Sequence, residues 1–230
     1  MIVRQNDHIF WRYIIMKENF TELVFILDRS GSMQSLTDDT IGGFNSLIEK
    51  QREEKGECVV STVLFNNTSS VLYDRVPLEK IPGMTRADYS AQGGTALIDA
   101  IGAAIHHIGN IHKYARSEDV PQNTLFVIIT DGMENSSHMY TSDKVKEMIE
   151  RQKKKYGWEF LFIGANIDAV ETAQSFGISK ECTADYIADS EGTDVTYGAV
   201  CAAVSMMRSN SKLSENWSEQ ITTDYKKRKR

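Results

Sequence analysis

At 230 residues, 41% of them hydrophobic and 25% charged, the chain is long enough to bury one sizeable core and has the balance of a soluble globular protein. A formal charge of −6 argues against a general nucleic-acid binder, which would carry a net basic face. The three cysteines, Cys58, Cys182 and Cys201, are scattered and form no Cys-x-x-Cys pair, so they read as reduced thiols of a cytosolic protein rather than a disulfide framework or a zinc site.

The N-terminal run IFWRYII is broken by Arg12 and is followed by no small-residue cleavage site, which argues against a secretory leader; no segment has the length and apolarity of a membrane span. Residues 1–18 read as an extension, with Met16 as a natural alternative start, and residues 19–211 as one domain. Leu23–Leu27 is a short, unbroken apolar run, the pattern of a strand buried on both faces. Ile41, Phe44, Leu47 and Ile48 then recur at helical spacing. Two strands follow, Cys58–Phe65 and Ser70–Val76, joined by the turn-rich NNTS; the second is expected to run antiparallel at a sheet edge. A second helix carries Leu97, Ile101, Ala104, Ile105 and Ile108. Leu125–Ile129 reads as another buried strand, Val145, Met148 and Ile149 as a helix, and Phe160–Ile163 as a strand. Asp168, in IGANIDA, reads as a helix cap. A short strand is expected near Ile178–Cys182, then a helix from Asp194 to about Met207. From Lys212 onward the chain is polar and ends in KKRKR, read as a basic, flexible tail (residues 212–230). This order predicts an α/β fold: a doubly wound, mostly parallel six-stranded sheet with one antiparallel edge strand and helices on both faces.

Open parallel sheets bind ligands at the carboxyl ends of their strands. Three stretches fall at that edge: Asp28-Arg29-Ser30-Gly31-Ser32 after the first strand, Gly93-Gly94-Thr95 before the second helix, and Thr130-Asp131-Gly132 at the end of the fourth strand. Each alone has an ordinary explanation, since serines and threonines cap helices and Asp-Gly pairs make turns. Together they gather Asp28, Ser30, Ser32, Thr95 and Asp131 on one edge.

D-x-S-G-S after an apolar strand, G-G-T before a helix and T-D-G at the end of a later strand resemble the von Willebrand factor type A (vWA) domain, and the likeness spans roughly residues 20–210. It implies an intracellular, bacterial, stand-alone domain with a metal-ion-dependent adhesion site made by Asp28, Ser30, Ser32, Thr95 and Asp131. An all-oxygen set without histidine or thiolate selects a hard cation, Mg²⁺ first and Mn²⁺ or Ca²⁺ after it. By this resemblance the Ser30, Ser32 and Thr95 hydroxyls bind the ion directly, Asp28 and Asp131 act mostly through waters or hydrogen bonds, and a Glu or Asp of a protein partner completes the coordination. Arg29, Met33, Met133, Glu134 and Asn166 are the expected rim, with Met84 a further candidate beside the methionines. Gly31 is expected to permit close packing of the loops.

Other chemistries fit less well. The chain lacks G-x-S-x-G, a P-loop and G-x-G-x-x-G, and position 30 is serine where an aspartyl phosphatase would carry a second acid. His138 is the one histidine expected near this edge, while His106, His107 and His112 lack the i, i+4 spacing of helical metal ligands. The expectation is therefore a Mg²⁺-dependent protein–protein interaction module with no catalytic residue, cytoplasmic, without membrane or nucleic-acid partners. The alternatives are a metal-dependent hydrolase of phosphate esters, and an adaptor of a chaperone-like ATPase, a chelatase or a stress-resistance complex.

Overall fold

A computed structural model describes residues 17–210 and 212–229. Six strands, β1 (Lys17–Asp28), β2 (Glu57–Phe65), β3 (Ser69–Pro77), β4 (Pro121–Thr130), β5 (Glu159–Gly164) and β6 (Thr183–Asp185), form one sheet in the order β3-β2-β1-β4-β5-β6. All neighbours pair in parallel except β2 and β3, so the edge strand β3 is the antiparallel one, as its hairpin predicts. The helices are α1 (Thr37–Arg52), α2 (Leu97–Tyr114), α3 (Ser142–Tyr156), α4 (Ala169–Ser175), α5 (Ser190–Asn210) and α6 (Glu219–Arg228).

The apolar run of β1 is continuous because successive side chains feed two separate cores. Leu23, Phe25 and Leu27 pack with Phe44 and Leu47 of α1 and with Val200 and Val204 of α5. Val24 and Ile26 pack with Leu97 and Ile101 of α2, Val145 of α3 and Ala173 of α4. Burying a side chain such as Leu23 or Phe25 contributes about 1.5–3 kcal/mol, so a polar residue at any of these positions would strip one layer of its seat. The register levels the strand ends: Leu27 pairs with Ile129, and Thr130 with Gly164. Asp28, Asp131 and Asn166 therefore leave the sheet along one edge.

Four expectations need correction. Lys17 and Glu18 belong to β1 rather than to an extension; the alternative start at Met16 and the rest of residues 1–16 lie outside the described residues. The last strand is Thr183–Asp185, because Lys180–Cys182 close a 3₁₀ turn in which the Cys182 N–H donates to the Ser179 carbonyl at 3.0 Å. Helix α5 starts at Ser190, before Asp194, since the Asp189 carboxylate accepts the Gly192 N–H at 2.8 Å and caps it. The polar C-terminal stretch is no loose tail over its described length. Trp217 and Ile221 are buried, Trp217 Nε1 donates to the Glu181 carbonyl at 2.7 Å, and Arg228 of α6 pairs with Asp189 at 2.6 Å. The cap at Asp168 is as read: its carboxylate accepts the Glu171 N–H at 2.8 Å. Among the described residues, no helix is long and apolar enough to cross a membrane.

Candidate metal centre

Asp28 ends β1 fully enclosed, and its two oxygens organise both neighbouring loops. Oδ1 accepts the Ser30 N–H at 2.7 Å, bending the chain back towards the sheet edge. Oδ2 accepts the Thr130 hydroxyl at 2.7 Å and the Asp131 N–H at 3.3 Å, fastening the end of β4 to the end of β1. Ser30 Oγ and Ser32 Oγ lie 3.1 Å apart, and Ser32 Oγ donates to the Asp131 carbonyl at 2.7 Å.

Thr95 reaches the same point from the loop before α2. The Gly31 N–H donates to the Gly93 carbonyl at 3.0 Å, which ties the serine loop to the glycine loop. A Cβ built on Gly132 would lie 3.4 Å from Thr95 Oγ1 and 3.7 Å from Ser32 Oγ, so these hydroxyls flank one small residue. The three loops surround an open cleft of about 290 Å³. The glycine that this geometry requires is Gly93: its φ is +79°, and a Cβ there would fall 2.0 Å from Asn67 Oδ1. At Gly31 an added Cβ would approach the Gly93 carbonyl at 3.4 Å, an ordinary contact, so the packing role expected of Gly31 is the weaker one.

The electrostatics suit a cation. Asp28 and Asp131 are both buried at the base of the cleft, and the hydrogen bonds they accept come from neutral groups: the Ser30 and Asp131 amides, the Thr130 hydroxyl and the Asn166 side-chain amide. Burial pushes the Asp131 carboxyl above the usual carboxylate range; the Asn166 hydrogen bond opposes this and the Asp28 charge adds to it. Hydroxyls plus uncompensated buried carboxylates fit a hard divalent ion rather than a thiophilic one. Among the described residues no group of three or more histidine, cysteine or acidic side chains gathers as a metal site, so this centre would rest on its hydroxyls and two carboxylates.

The rim differs from expectation at Met33 and Glu134. Asn166, in the left-handed region at φ +56°, is exposed and donates to Asp131 Oδ1; Met133 is 73% exposed at the lip. Met33 is buried, because the 3₁₀ segment Gly31–Leu36 turns it and Leu36 into the core, and Met84 is buried as well. Arg29 is half-buried, with Nε enclosed. Glu134 faces inward: Oε1 accepts the Ser136 and Ser137 N–H groups at 2.8 Å each, and Oε2 accepts Ser137 Oγ and the Ile98 N–H at 2.8 Å each. It thereby satisfies a first-turn amide of α2.

Several supporting roles were not legible in the sequence. Asn135 brackets Thr95, accepting its N–H at 2.9 Å and donating its own N–H to the Thr95 carbonyl at 3.0 Å. Asn67 Oδ1 accepts the Gly94 N–H at 2.7 Å. Asp99, in the first turn of α2, accepts the N–H groups of His138, Met139 and Tyr140 at 2.8–2.9 Å. The only sequence signal for these is an excess of Asn, Ser and Asp around the loops, which fits turns equally well. His138 is exposed past the cleft; His112 stands edge-on to Trp158 and bonds the buried Glu22 carboxylate at 2.5 Å, away from the centre.

A family model described as VWA domain containing CoxE-like protein matches residues 7–157. The chain belongs to this family. The match closes before β5, so Asn166 and the elements from β5 onward lie beyond it. Solved structures share the vWA fold. A proximal thread matrix protein 1 of the mussel byssus superposes with a TM-score of 0.56 at 14% identity, covering 81% of this chain and 46% of that one. A von Willebrand factor type A protein from Catenulispora acidiphila gives 0.54 at 17% identity, covering 83% and 43%. The mussel protein with a zinc-occupied MIDAS motif gives 0.54 at 11% identity, covering 84% and 46%. The chain thus spans less than half the length of these structures. None of the curated proteins matches it.

Proposed function

We propose that this vWA-family protein binds a protein partner through a divalent cation, with a Glu or Asp of the partner completing the coordination. The observation that carries the reading is the convergence of the Ser30, Ser32 and Thr95 hydroxyls above the buried carboxylates of Asp28 and Asp131 in one open cleft. A mussel protein of the same fold holds zinc in the motif of this name, which supports a metal at the corresponding loops here. The oxygen set favours Mg²⁺ in the cell, with Mn²⁺ or Ca²⁺ as substitutes.

In this reading Ser30, Ser32 and Thr95 would hold the ion directly, and the two carboxylates would steady those hydroxyls. A bound ion supplies a positive centre with neutral direct ligands, open to an incoming carboxylate. One unit pair at about 4 Å and an effective dielectric near 20 is worth about 4 kcal/mol, and a divalent ion roughly twice that before desolvation, enough to govern recognition. Asn166 and Asn135 fix the neighbouring side chains, and Met133 offers an adaptable apolar contact at the lip. The chain itself supplies no catalytic group in this scheme. The protein acts in the cytoplasm of a bacterium, where its cysteines stay reduced; a chaperone-like ATPase is one class of partner. Calorimetric titration with Mg²⁺ tests the site: Asp28→Ala and Ser30→Ala should abolish binding while the fold stays cooperative. Unchanged Mg²⁺ affinity in both variants would refute it.

A further inference from the structure

A large groove opens beside the cleft. It holds about 1180 Å³ between the β5–α4 turn, β6 and α6, and Met133 borders both spaces. Asn166, which holds Asp131, forms part of its wall. Small-molecule sites enclose about 300–1,000 Å³ and bury most of their ligand, so an open trough of this size suits an extended peptide better.

Its charges are unevenly matched. Asp168, Glu171 and Asp185 line one side. Asp168 Oδ1 accepts the Glu171 N–H and Asp185 Oδ1 the Ala169 N–H, so each carboxylate spends one oxygen on the backbone of α4. Burial raises the Asp185 carboxyl; the Ala169 hydrogen bond and the Lys229 charge oppose this, and the Asp168 charge adds to it. Of the cations on the facing side, Arg228 is already committed to Asp189 and Asp224. Lys229 lies over the Tyr225 ring and bonds its hydroxyl, which leaves Lys180 and Lys229 against three carboxylates.

We propose that the partner segment that brings its acid to the cation runs on into this groove and sets a lysine or arginine against Asp168 and Asp185. The proposal rests on the metal-dependent reading and adds a second determinant to it: the recognised segment is an acidic residue followed or preceded, within a few positions, by a basic one. The acid alone would make every exposed Glu or Asp a candidate; the groove restricts the choice by charge complementarity.

The test is selection of displayed random peptides on the immobilised protein in Mg²⁺, with elution by EDTA, followed by fluorescence-polarisation binding of the recovered sequences. Asp168→Asn and Asp185→Asn are the informative variants, because asparagine keeps the backbone acceptor of each position and the cap of α4. Recovered sequences should pair an acid with a nearby Lys or Arg. The double Asn variant should weaken them about fivefold with EDTA sensitivity intact, and should have no effect on the same peptide with its basic residue replaced by norleucine. Lys229→Ala should strengthen binding of the basic peptide. EDTA-eluted sequences without a basic residue, or equal weakening of the basic and norleucine peptides, would overturn the groove proposal alone. Binders that survive EDTA and the Asp28→Ala substitution would refute the metal reading instead, and a selection that yields no EDTA-eluted sequence would overturn both.

Discussion

Replacing Glu134 by alanine removes the acceptor of four hydrogen bonds at once, those from the Ser136 and Ser137 amides, the Ser137 hydroxyl and the Ile98 amide. The loop donors are half-buried and recover part of their loss to water, whereas the Ile98 amide sits in the first turn of α2, where losing a side-chain cap costs about 1 kcal/mol. Hydrogen bonds to a charged group are worth about 1.5–3 kcal/mol each when fully kept, so with this discount the net cost comes to about 2–3 kcal/mol. In a domain of this size that lowers Tm by roughly 4–12 °C. The loosened segment carries Asn135, which brackets Thr95, so Mg²⁺ affinity should fall as well, although Glu134 is not placed among the ligands. Urea denaturation in EDTA measures the first effect at constant m, and calorimetric titration measures the second. A stability change under about 0.5 kcal/mol would place Glu134 among ordinary surface residues and refute its bracing role.

Gly93→Ala should destabilise the protein by about 1–3 kcal/mol and weaken Mg²⁺ binding, since the left-handed φ and the Asn67 side chain both resist a Cβ; equal stability in urea would contradict that backbone assignment. Adding Mg²⁺ at about a hundred times its Kd should stabilise the wild-type protein by about 2.7 kcal/mol in thermal melts and leave Asp28→Ala unmoved. The Arg228 hydrogen bond holds the Asp189 carboxyl below its ordinary range. A depressed carboxyl contributes stability that is present above its unfolded pKa, about 3.9, and is lost as pH falls through the lower folded value. Arg228→Met should therefore cost stability near neutral pH and progressively less below about pH 4, the effect kept small by solvent exposure; a deficit that stays constant into acid would point to lost packing instead.

The sheet and both of its helical layers were readable because β1, β4 and β5 are unbroken apolar runs ending at small polar residues, and period and length suffice to identify such strands. The five oxygen side chains were readable for the same reason, as each sits where a strand stops or a helix starts. Met33 was not, because its neighbours in sequence are exposed and only the 3₁₀ turn rotates it inward. Glu134 looked like a rim acid; its inward turn depends on an amide 36 residues away at Ile98. Helix α6 was hidden by its composition, where few buried apolar residues among charges give little period, and tertiary contacts with α5 and β6 decide its fold. Strand β6, at three residues, is too short for any alternation to register.

Glu134 reaches from the Asp131 loop to the start of α2, and Asp99 reaches from α2 back to the far end of that same loop. With Asn135 doubly bonded to Thr95 between them, the second and third loops are riveted into one stiff jaw. On the proposed reading, adjustment to ions of different radius would fall to the short Asp28–Ser32 turn, which the Gly31–Gly93 and Ser32–Asp131 hydrogen bonds join to that jaw and whose two serines would have to absorb the mismatch between a small Mg²⁺ and a larger Ca²⁺.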